Sequence, residues 1–376
     1  MLGLRKIYTV LTLAILTFVF FGLTSSIDAA ETITLGWYGP TSGAAAQDGQ
    51  EGRAGAELAV ELVNASGGIN GKQLVMIYAD DKSDPKEGAN IATMFVSNKD
   101  IIGVVGPFNS SVILAAAPIF NRGKLCDIGW GVTSPLITTA GEYIYRVAPT
   151  DAWEADFISK WIADEGYKKV AFLYENTDYG VGMRDVIRKS LPGYGCEIVF
   201  EEPYVQGQTK DFGSIIASLK QAAPDAVFMG AIYNEAALLM TQARDLGFNA
   251  PFFGTDGFFS AGLLDLGGGA VEGARCCSAF FTETASPVVR EFIDAYVKKF
   301  DRTPGNWAAQ SYDGVIAYVE ALKKSGASTR EEVKKALDAL GPFEGATGIN
   351  EFDENGDVRK DLVKLVVKEG KFALYD

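Results

Sequence analysis

Short apolar runs alternate with segments of helical periodicity along most of this chain. Residues 33–38 form an apolar run typical of a buried strand, and residues 51–66 follow with apolar side chains at helical spacing. The same strand-then-helix unit recurs over residues 73–98 and again over residues 101–122. Such alternation predicts a parallel sheet that is covered by helices on both faces.

A second set of alternating elements begins after an apolar stretch at residues 143–146. It is predicted to contain helices at 151–165, 179–191, 212–222 and 235–246 and strands at 169–174, 196–201, 226–229 and 252–253. We expect Asp151 to cap the first of these helices. Two consecutive sets predict an α/β fold with two doubly wound, Rossmann-like lobes of similar size.

The remaining chain does not have the pattern of a third lobe. Three helices are predicted at residues 287–300, 306–324 and 329–340, with little strand between them and short strands after them. These elements are most simply shared between the two lobes. We therefore expect the chain to cross from one lobe to the other more than once.

The first 30 residues have the pattern of an export signal. Arg5 and Lys6 precede an apolar core at residues 7–23, and small residues lie near Ala30. We expect cleavage near Ala30 and a periplasmic location. An uncleaved membrane anchor is the alternative, although a helix that crosses a bilayer needs about 20 apolar residues.

Composition excludes several classes of function. The formal net charge is -14, and such an acidic chain repels nucleic acids and anionic lipids. The sequence contains no histidine, so it can form neither a Ser-His-Asp triad nor a histidine-ligated metal site. A binding protein is therefore favoured over an enzyme. Acid-base chemistry by Asp256, Glu235 or Tyr179 is the remaining enzymatic alternative.

No cofactor or metal ion is expected. The spacing of the four cysteines matches no zinc pattern, and neither 267–269 nor 353–357 has the spacing of a nucleotide or calcium loop. Cys276 and Cys277 are adjacent and would lie on opposite faces of a strand. We expect buried thiols, while a disulfide between two of the four (Cys126, Cys196, Cys276, Cys277) remains open.

Two strand-to-helix turns carry the most informative chemistry. Residues 106–111 and 129–135 each follow a short apolar strand and contain hydroxyl side chains where a helix begins. The first backbone N–H groups of a helix are unpaired and lie at the positive end of its dipole, so they attract anions. These turns predict a site for a small carboxylate ligand.

A series of motifs, taken in their order along the chain, resembles one known family. The chain is similar to the periplasmic leucine/isoleucine/valine-binding proteins, the receptors of branched-chain amino acid ABC transporters. The resemblance covers essentially the whole mature chain and rests on residues 39–43, 52–59, 64–72, 80–85, 174–180, 242–247, 312–313 and 352–357.

The resemblance implies a type I periplasmic binding fold, in which three crossovers form a hinge between two lobes. The first lobe is expected at residues 31–150 and 280–347. The second lobe is expected at residues 151–279 and 348–376. A ligand would bind in the cleft between the lobes and close it.

The same resemblance assigns contacts to individual residues. Ser110 and Thr133 would bind the carboxylate of the ligand, and a backbone carbonyl near Gly131 would accept from its ammonium group. On the second lobe, Asp256 would pair with the ammonium group, and Tyr179 would face the cleft. Helix capping by Ser110 and turn formation by Asp256 are the alternatives.

The specificity pocket departs from the family pattern. Ile232 occupies a position where an aromatic contact is expected, and Tyr233 could replace it only through a one-residue shift. Phe108 and Trp130 lie within the binding turns and would narrow the pocket, while Asp48 stands where an aromatic residue is frequent. An α-amino acid is favoured, and amides, γ-amino acids and aromatic carboxylates remain open.

The sequence therefore favours a solute receptor that delivers a small amino acid, branched-chain or related, to the membrane permease of an ABC importer. The alternative is a ligand-sensing receptor for an amide or an aromatic carboxylate. Both use the same cleft and neither involves nucleic acid.

Overall fold

A computed structural model describes residues 32–284 and 286–375. The predicted export signal lies outside these residues. Within them, no helix has both the length and the apolar character that crossing a membrane requires.

The first sheet is built from the amino-terminal part of the chain. Its five strands are β1 (Thr32–Gly39), β2 (Gln73–Asp80), β3 (Ile101–Val105), β4 (Asp127–Gly129) and β5 (Ile144–Arg146). They are all parallel and lie in the order β2-β1-β3-β4-β5. The helices that connect the first four are α1 (Ala46–Ala65), α2 (Pro85–Ser97) and α3 (Ser110–Gly123).

The second sheet begins with five parallel strands. These are β6 (Lys169–Glu175), β7 (Glu197–Tyr204), β8 (Ala226–Gly230), β9 (Phe252–Gly254) and β10 (Arg275–Ser278). The helices of this part are α4 (Asp151–Asp164), α5 (Asp178–Gly193), α6 (Gly213–Ala222), α7 (Tyr233–Asp245) and α8 (Ala261–Gly267). β6 and β8 are almost entirely buried, as expected for central strands that helices cover on both faces.

The carboxyl-terminal part adds helices, a separate two-stranded sheet and the last two strands of the second sheet. Its elements are α9 (Pro287–Phe300), α10 (Asn306–Ser325), α11 (Arg330–Asp338), β11 (Phe343–Gly345), β12 (Gly348–Asn350), β13 (Val363–Lys368) and β14 (Lys371–Leu374). β13 and β14 are antiparallel and complete the second sheet in the order β14-β13-β10-β9-β8-β6-β7.

Helix α10 packs on the first sheet. The hydroxyl of Tyr318 accepts a hydrogen bond from the backbone N–H of Val104 and donates one to the carbonyl of Cys126. The indole N–H of Trp37 donates to the hydroxyl of Ser311 over 3.0 Å. These buried polar contacts fix the helix against strands β1, β3 and the start of β4.

The chain passes between the two sheets three times, after β5, after β10 and after β12. Two buried ion pairs hold the third passage. Arg146 Nε lies 2.6 Å from Asp357 Oδ1, and Lys360 Nζ lies 3.5 Å from Asp313 Oδ2. Arg146 belongs to β5, and Asp313 belongs to the helix that packs on the first sheet. The two ion pairs therefore attach the crossing segment, which contains Asp357 and Lys360, to the first sheet.

The architecture agrees with the α/β class, the two doubly wound sheets and the multiple crossings predicted from the sequence. One boundary differs in detail. β12 pairs with β11, and the side chain of Asn350 donates to Asp313, so residues 348–350 lie beside the first sheet. The last passage therefore begins a few residues later than the sequence pattern predicts.

Two local predictions have clear outcomes. Thr150 rather than Asp151 caps α4, because its hydroxyl accepts from the backbone N–H of Trp153. Cys276 and Cys277 lie in apolar clusters on opposite faces of the second sheet, as alternation along a strand predicts. All four cysteines are buried free thiols.

The close approach of α1 and α10 gives a test of the fold. A Cβ atom at Gly55 would lie 2.0 Å from the carbonyl oxygen of Ala308. We expect Gly55→Ala to force the helices apart and to lower the free energy of unfolding by about 1–3 kcal/mol. Urea denaturation of the purified protein measures the change.

Gly193→Ala is the matched control. Gly193 is the last residue of α5, and a Cβ atom added there would have no atom of the described chain within 4 Å beyond its immediate neighbours. This variant should be as stable as the original protein or slightly more stable. Equal stability of both variants would contradict the tight contact between α1 and α10.

Candidate ligand-binding site

A cleft of about 450 Å³ lies between the two sheets. Its walls are formed by the segments that follow β3 and β4 in the first sheet and β6, β8 and β9 in the second. The carboxyl ends of both sets of parallel strands therefore border one space. Ligands of α/β proteins bind at this edge of a sheet.

On the side of the first sheet, the cleft is bordered by the start of α3, where no side chain caps the helix. The side chain of Asn109 precedes α3 but forms no capping hydrogen bond, and its Oδ1 is buried without a partner in the described chain. Ser110, the first residue of α3, is 3% exposed, and Thr133 has the same exposure. The hydroxyl of Ser110 accepts from the backbone N–H of Ser134 over 3.4 Å. The two turns are therefore joined and present two hydroxyls to the cleft.

Gly131 is required by the packing of the second turn. A Cβ atom at this position would lie 2.4 Å from Cδ2 of Phe108. The backbone N–H of Gly131 donates to the carbonyl of Pro107 over 3.2 Å. The absence of a side chain thus lets the two binding turns pack directly against each other.

The second sheet contributes Tyr179 and Asp256. The hydroxyl groups of Tyr179 and Thr255 are 2.8 Å apart. Asp256 begins a short 3-10 turn after β9 and is 2% exposed. Burial raises the pKa of its carboxyl to about 7, although the backbone N–H of Gly257 and the side chain of Asn306 oppose the shift.

Four polar atoms of cleft residues are buried and have no hydrogen-bond partner within the described ranges. They are Ser83 Oγ, Asn109 Oδ1, Asp256 Oδ2 and Trp307 Nε1. A buried polar group without a partner costs free energy, so such groups mark the positions where a polar ligand or water can bind. The indole N–H of Trp307 is a donor, the side-chain oxygens of Asn109 and Asp256 are acceptors, and the hydroxyl of Ser83 can act as either.

Six of the eight residues predicted to contact ligand line the cleft. They are Phe108, Ser110, Gly131, Thr133, Tyr179 and Asp256. Trp130 and Tyr233 lie outside it.

Trp130 belongs to the core of the first sheet. Its ring stacks on Trp37 with a centroid distance of 5.8 Å, and its Nε1 donates to the carbonyl of Tyr38 over 3.2 Å. It supports Phe108 from behind, with ring centroids 5.4 Å apart. Trp130 therefore shapes the pocket only through Phe108.

Tyr233 is also buried outside the cleft, whereas Ile232 lines it. Ile232 belongs to the same apolar cluster as Phe108 and Trp307. The structure therefore places the aliphatic side chain of Ile232, and not Tyr233, on the wall of the cleft.

Glu175 and Trp307 are cleft residues that were not predicted from the sequence. Glu175 ends β6, and its Oε1 accepts from the hydroxyl of Thr177 over 2.8 Å. Its position at a strand end was a usable signal. Trp307 lies at the start of α10, about 200 residues from its neighbour Phe108, and only the tertiary packing of α10 shows its location.

Direct contacts join the two sides of the cleft near α3 and α5. The backbone N–H of Asp178 donates to the hydroxyl of Ser111, and the hydroxyl of Ser134 donates to the carbonyl of Asp178, both over 3.1 Å. Ser134 also caps the 3-10 turn that follows it.

A second pair of contacts joins the sides near α1. The hydroxyl of Ser260 donates to Oδ1 of Asp48 over 2.7 Å, and the side chain of Asn234 donates to the carbonyl of Ala44 over 2.8 Å. Asp48 is thus a bridging residue in this structure. Its carboxylate links α1 to the start of α8.

The fold and this cleft define a two-lobed binding protein for a small polar molecule. Within residues 32–284 and 286–375, no group of three or more acidic or cysteine side chains is arranged to hold a metal ion.

The chain belongs to the periplasmic binding protein family, which it matches over residues 32–371. The family consists of extracytoplasmic binding proteins and not of enzymes.

Individual relatives confirm the resemblance seen in the sequence. The chain is 34% identical over 333 residues to the Leu/Ile/Val-binding protein homolog 2 of Brucella abortus, and the match covers 86% of this chain and 87% of the relative. It is 33% identical over 342 residues to the leucine-, isoleucine-, valine-, threonine-, and alanine-binding protein of Pseudomonas aeruginosa, with 90% of each chain covered.

A solved structure shows the same fold. The branched-chain amino acid transporter substrate binding protein LivJ from Streptococcus pneumoniae, in complex with isoleucine, superimposes with a TM-score of 0.86. It is 31% identical, and the match covers 91% of this chain and 98% of that one. The predicted type I periplasmic binding fold is confirmed.

Glu175 provides a test of the electrostatics of the cleft. Burial raises its pKa to about 8, and the neighbouring Glu235 adds to the shift. The pKa of a glutamate in the unfolded chain is about 4.3. Because the folded protein holds this proton more tightly, the contribution of Glu175 to stability is complete below that pH and is lost as pH rises through about 8. For the ligand-free protein we therefore expect the free energy of unfolding to fall between pH 5 and pH 8.

Glu175→Gln should reduce this fall by an amount on the order of 3 kcal/mol, because glutamine has no ionisation cost. Urea denaturation at pH 5, 6.5 and 8 measures it. Glu197→Gln on the exposed part of β7 is the control and should retain the original pH dependence. An unchanged slope in Glu175→Gln would show that Glu175 is ionised in the folded protein.

Proposed function

We propose that this protein is the solute receptor of an ABC importer and binds a branched-chain or related amino acid in the cleft. The observation that carries the proposal is the pairing of an uncapped helix start on one wall with a buried carboxyl group on the other. These two features complement the two charged ends of an α-amino acid. The relatives from Pseudomonas aeruginosa and Streptococcus pneumoniae, which bind amino acids, support the same ligand class.

Ser110 and Thr133 bind the ligand carboxylate in this proposal. Their hydroxyls are buried at adjoining turns and can donate to an anion together with the first backbone N–H groups of α3. No basic side chain lines the cleft in the described chain. Recognition of the carboxylate therefore depends on hydroxyl and amide donors.

Asp256 and the carbonyl of Gly131 bind the ammonium group. Asp256 Oδ2 has no partner within the described ranges, so a ligand donor would satisfy it. Since Asp256 belongs to the second sheet and Gly131 to the first, an ammonium group between them would favour the closed cleft. Tyr179, which lines the same wall, completes the polar part of the site.

The ligand side chain would contact Phe108, Ile232 and Trp307. The rings of Phe108 and Trp307 meet edge to face with centroids 4.8 Å apart, and Ile232 adds an aliphatic surface. An apolar pocket of this kind suits an aliphatic side chain. The unpaired Trp307 Nε1 is the feature that favours the second candidate, a sensing receptor for an amide or aromatic carboxylate, because such ligands could offer an acceptor there.

Export and delivery complete the proposal. The signal at residues 1–30 would direct the chain across the inner membrane and be removed near Ala30, and a membrane permease would accept the ligand from the closed receptor. We propose lobe boundaries as expected from the sequence, except that the third crossing begins after Asn350. Mass spectrometry of the exported protein should show a chain that begins at Glu31; an intact amino terminus would indicate an anchor.

Ligand chemistry tests the site map. A thermal-shift screen of the mature protein with the twenty amino acids, several amides and simple aromatic acids identifies the class. We expect leucine to bind, and we expect Ser110→Ala to weaken it about 10- to 100-fold because a hydrogen bond to a charged group is lost. Titration calorimetry measures both.

Asp256→Asn separates the two charged groups of the ligand. We expect it to weaken leucine on the order of 100-fold and to leave 4-methylpentanoate, which lacks the ammonium group, almost unaffected. Asp265→Asn, on the exposed surface of α8, is the control for charge and folding. Equal weakening of both ligands by Asp256→Asn would contradict the role given to Asp256.

A further inference from the structure

Three buried carboxyl groups influence one another electrostatically behind the second-lobe wall of the cleft. Asp151 and Glu154 lie on the first turn of α4, and Asp256 follows β9. Asp151 and Glu154 are fully buried, and Asp256 is almost so. Within the described chain, no ion pair involves any of the three side chains, although Arg146 lies close enough to Asp151 to attract it. An arrangement of this kind cannot keep three negative charges.

Glu154 and Asp256 are in direct side-chain contact. One oxygen of each, Oε2 of Glu154 and Oδ2 of Asp256, has no hydrogen-bond partner in the described residues. Two ionised carboxylates in contact would repel each other, and neither could donate a hydrogen bond to the other. A single proton between them removes one charge and supplies a donor, and the second lone pair of the accepting oxygen stays free for a ligand.

The surroundings determine which residue keeps that proton. Burial raises the pKa of Glu154 well above its usual range, and the charges of Asp256 and Asp151 add to the shift. Among the described residues, its Oε1 accepts only from the weak thiol donor of Cys277, over 3.5 Å. Asp256, in contrast, lies beside the backbone N–H of Gly257 and the side chain of Asn306, and both lower its pKa and so favour its ionised form.

We propose that Glu154 stays protonated and donates to Asp256, so that Asp256 presents a single oriented negative charge to the ammonium group of the ligand. This inference rests on the proposed function. Glu154 does not line the cleft and is therefore a positioning residue that acts through Asp256. The other titratable groups that face the pair from adjoining elements are Asp48, Asp151, Tyr179, Cys276 and Cys277.

The arrangement links binding to pH. Burial places the pKa of Asp256 near 7 in the free protein, so Asp256 gains its own proton at lower pH. An ammonium group must displace this proton. We therefore expect leucine to release about one proton per molecule bound at pH 6 and almost none at pH 8.5, and its affinity to fall up to about tenfold per pH unit below pH 7.

The test compares two substitutions that each replace one oxygen by an NH2 group. Glu154→Gln copies the protonated acid and should bind leucine within about threefold of the original affinity, with the same proton release. Asp256→Asn should lose both binding and proton release. Calorimetry in pairs of buffers with different ionisation enthalpies counts the protons. If Glu154→Gln loses as much affinity as Asp256→Asn, Glu154 carries the charge and the inference is wrong.

Glu154→Leu distinguishes a donor from a space-filling side chain. Without the donor, the pKa of Asp256 should rise, so the loss of leucine affinity should begin at least one pH unit higher than in Glu154→Gln. Identical pH profiles for the two variants would overturn the proposal, and circular dichroism establishes that each is folded.

Failure of leucine to bind the original protein at any pH would contradict the proposed function and not this inference. Proton uptake on folding between pH 5 and pH 8 then decides the matter without ligand. It should fall by about one proton in Glu154→Gln, because glutamate takes up a proton on folding only if it is protonated in the folded state. An unchanged uptake would show that Glu154 is ionised.

Discussion

The carboxyl ends of the parallel strands of two sheets border one cleft, and the rest of the site depends on this arrangement. Each of these strands ends in a turn, and at the start of α3 no side chain caps the first N–H groups of the helix. Ser110 and Thr133 reach the cleft from one sheet, and Tyr179 and Asp256 reach it from the other. The three crossings make this possible, because they return the chain to the first sheet after the second has been built.

Several carboxyl groups near the cleft are buried in a chain that has no histidine and few buried cations to pair with them. Asp48, Asp256 and Glu175 are all nearly inaccessible, whereas Arg146 and Lys360, the buried cations of the described chain, are engaged at the third crossing. Carboxyl groups near the cleft must therefore bind protons or hydrogen-bond donors. The polarity of the site follows from this shortage of cations, and a ligand with an ammonium group relieves it.

The features that could be predicted from the sequence are those that depend on short stretches of chain. The alternation of strands and helices, the hydroxyls at the two turns and the opposite faces of Cys276 and Cys277 are local properties. Features formed by distant segments were not accessible: the withdrawal of Trp130 behind Phe108, the arrival of Trp307 from α10, and the contact between Asp48 and Ser260. Each results from packing between segments far apart in the chain, which periodicity does not encode.

The contacts that join the two sides of the cleft are hydrogen bonds at its edges. Each contributes only about 1 kcal/mol, since water competes for the same groups when the sides separate. Open and closed forms of the empty protein should then differ by only a few kcal/mol. A ligand that contacts both walls needs only a modest difference in affinity to make the closed form dominant.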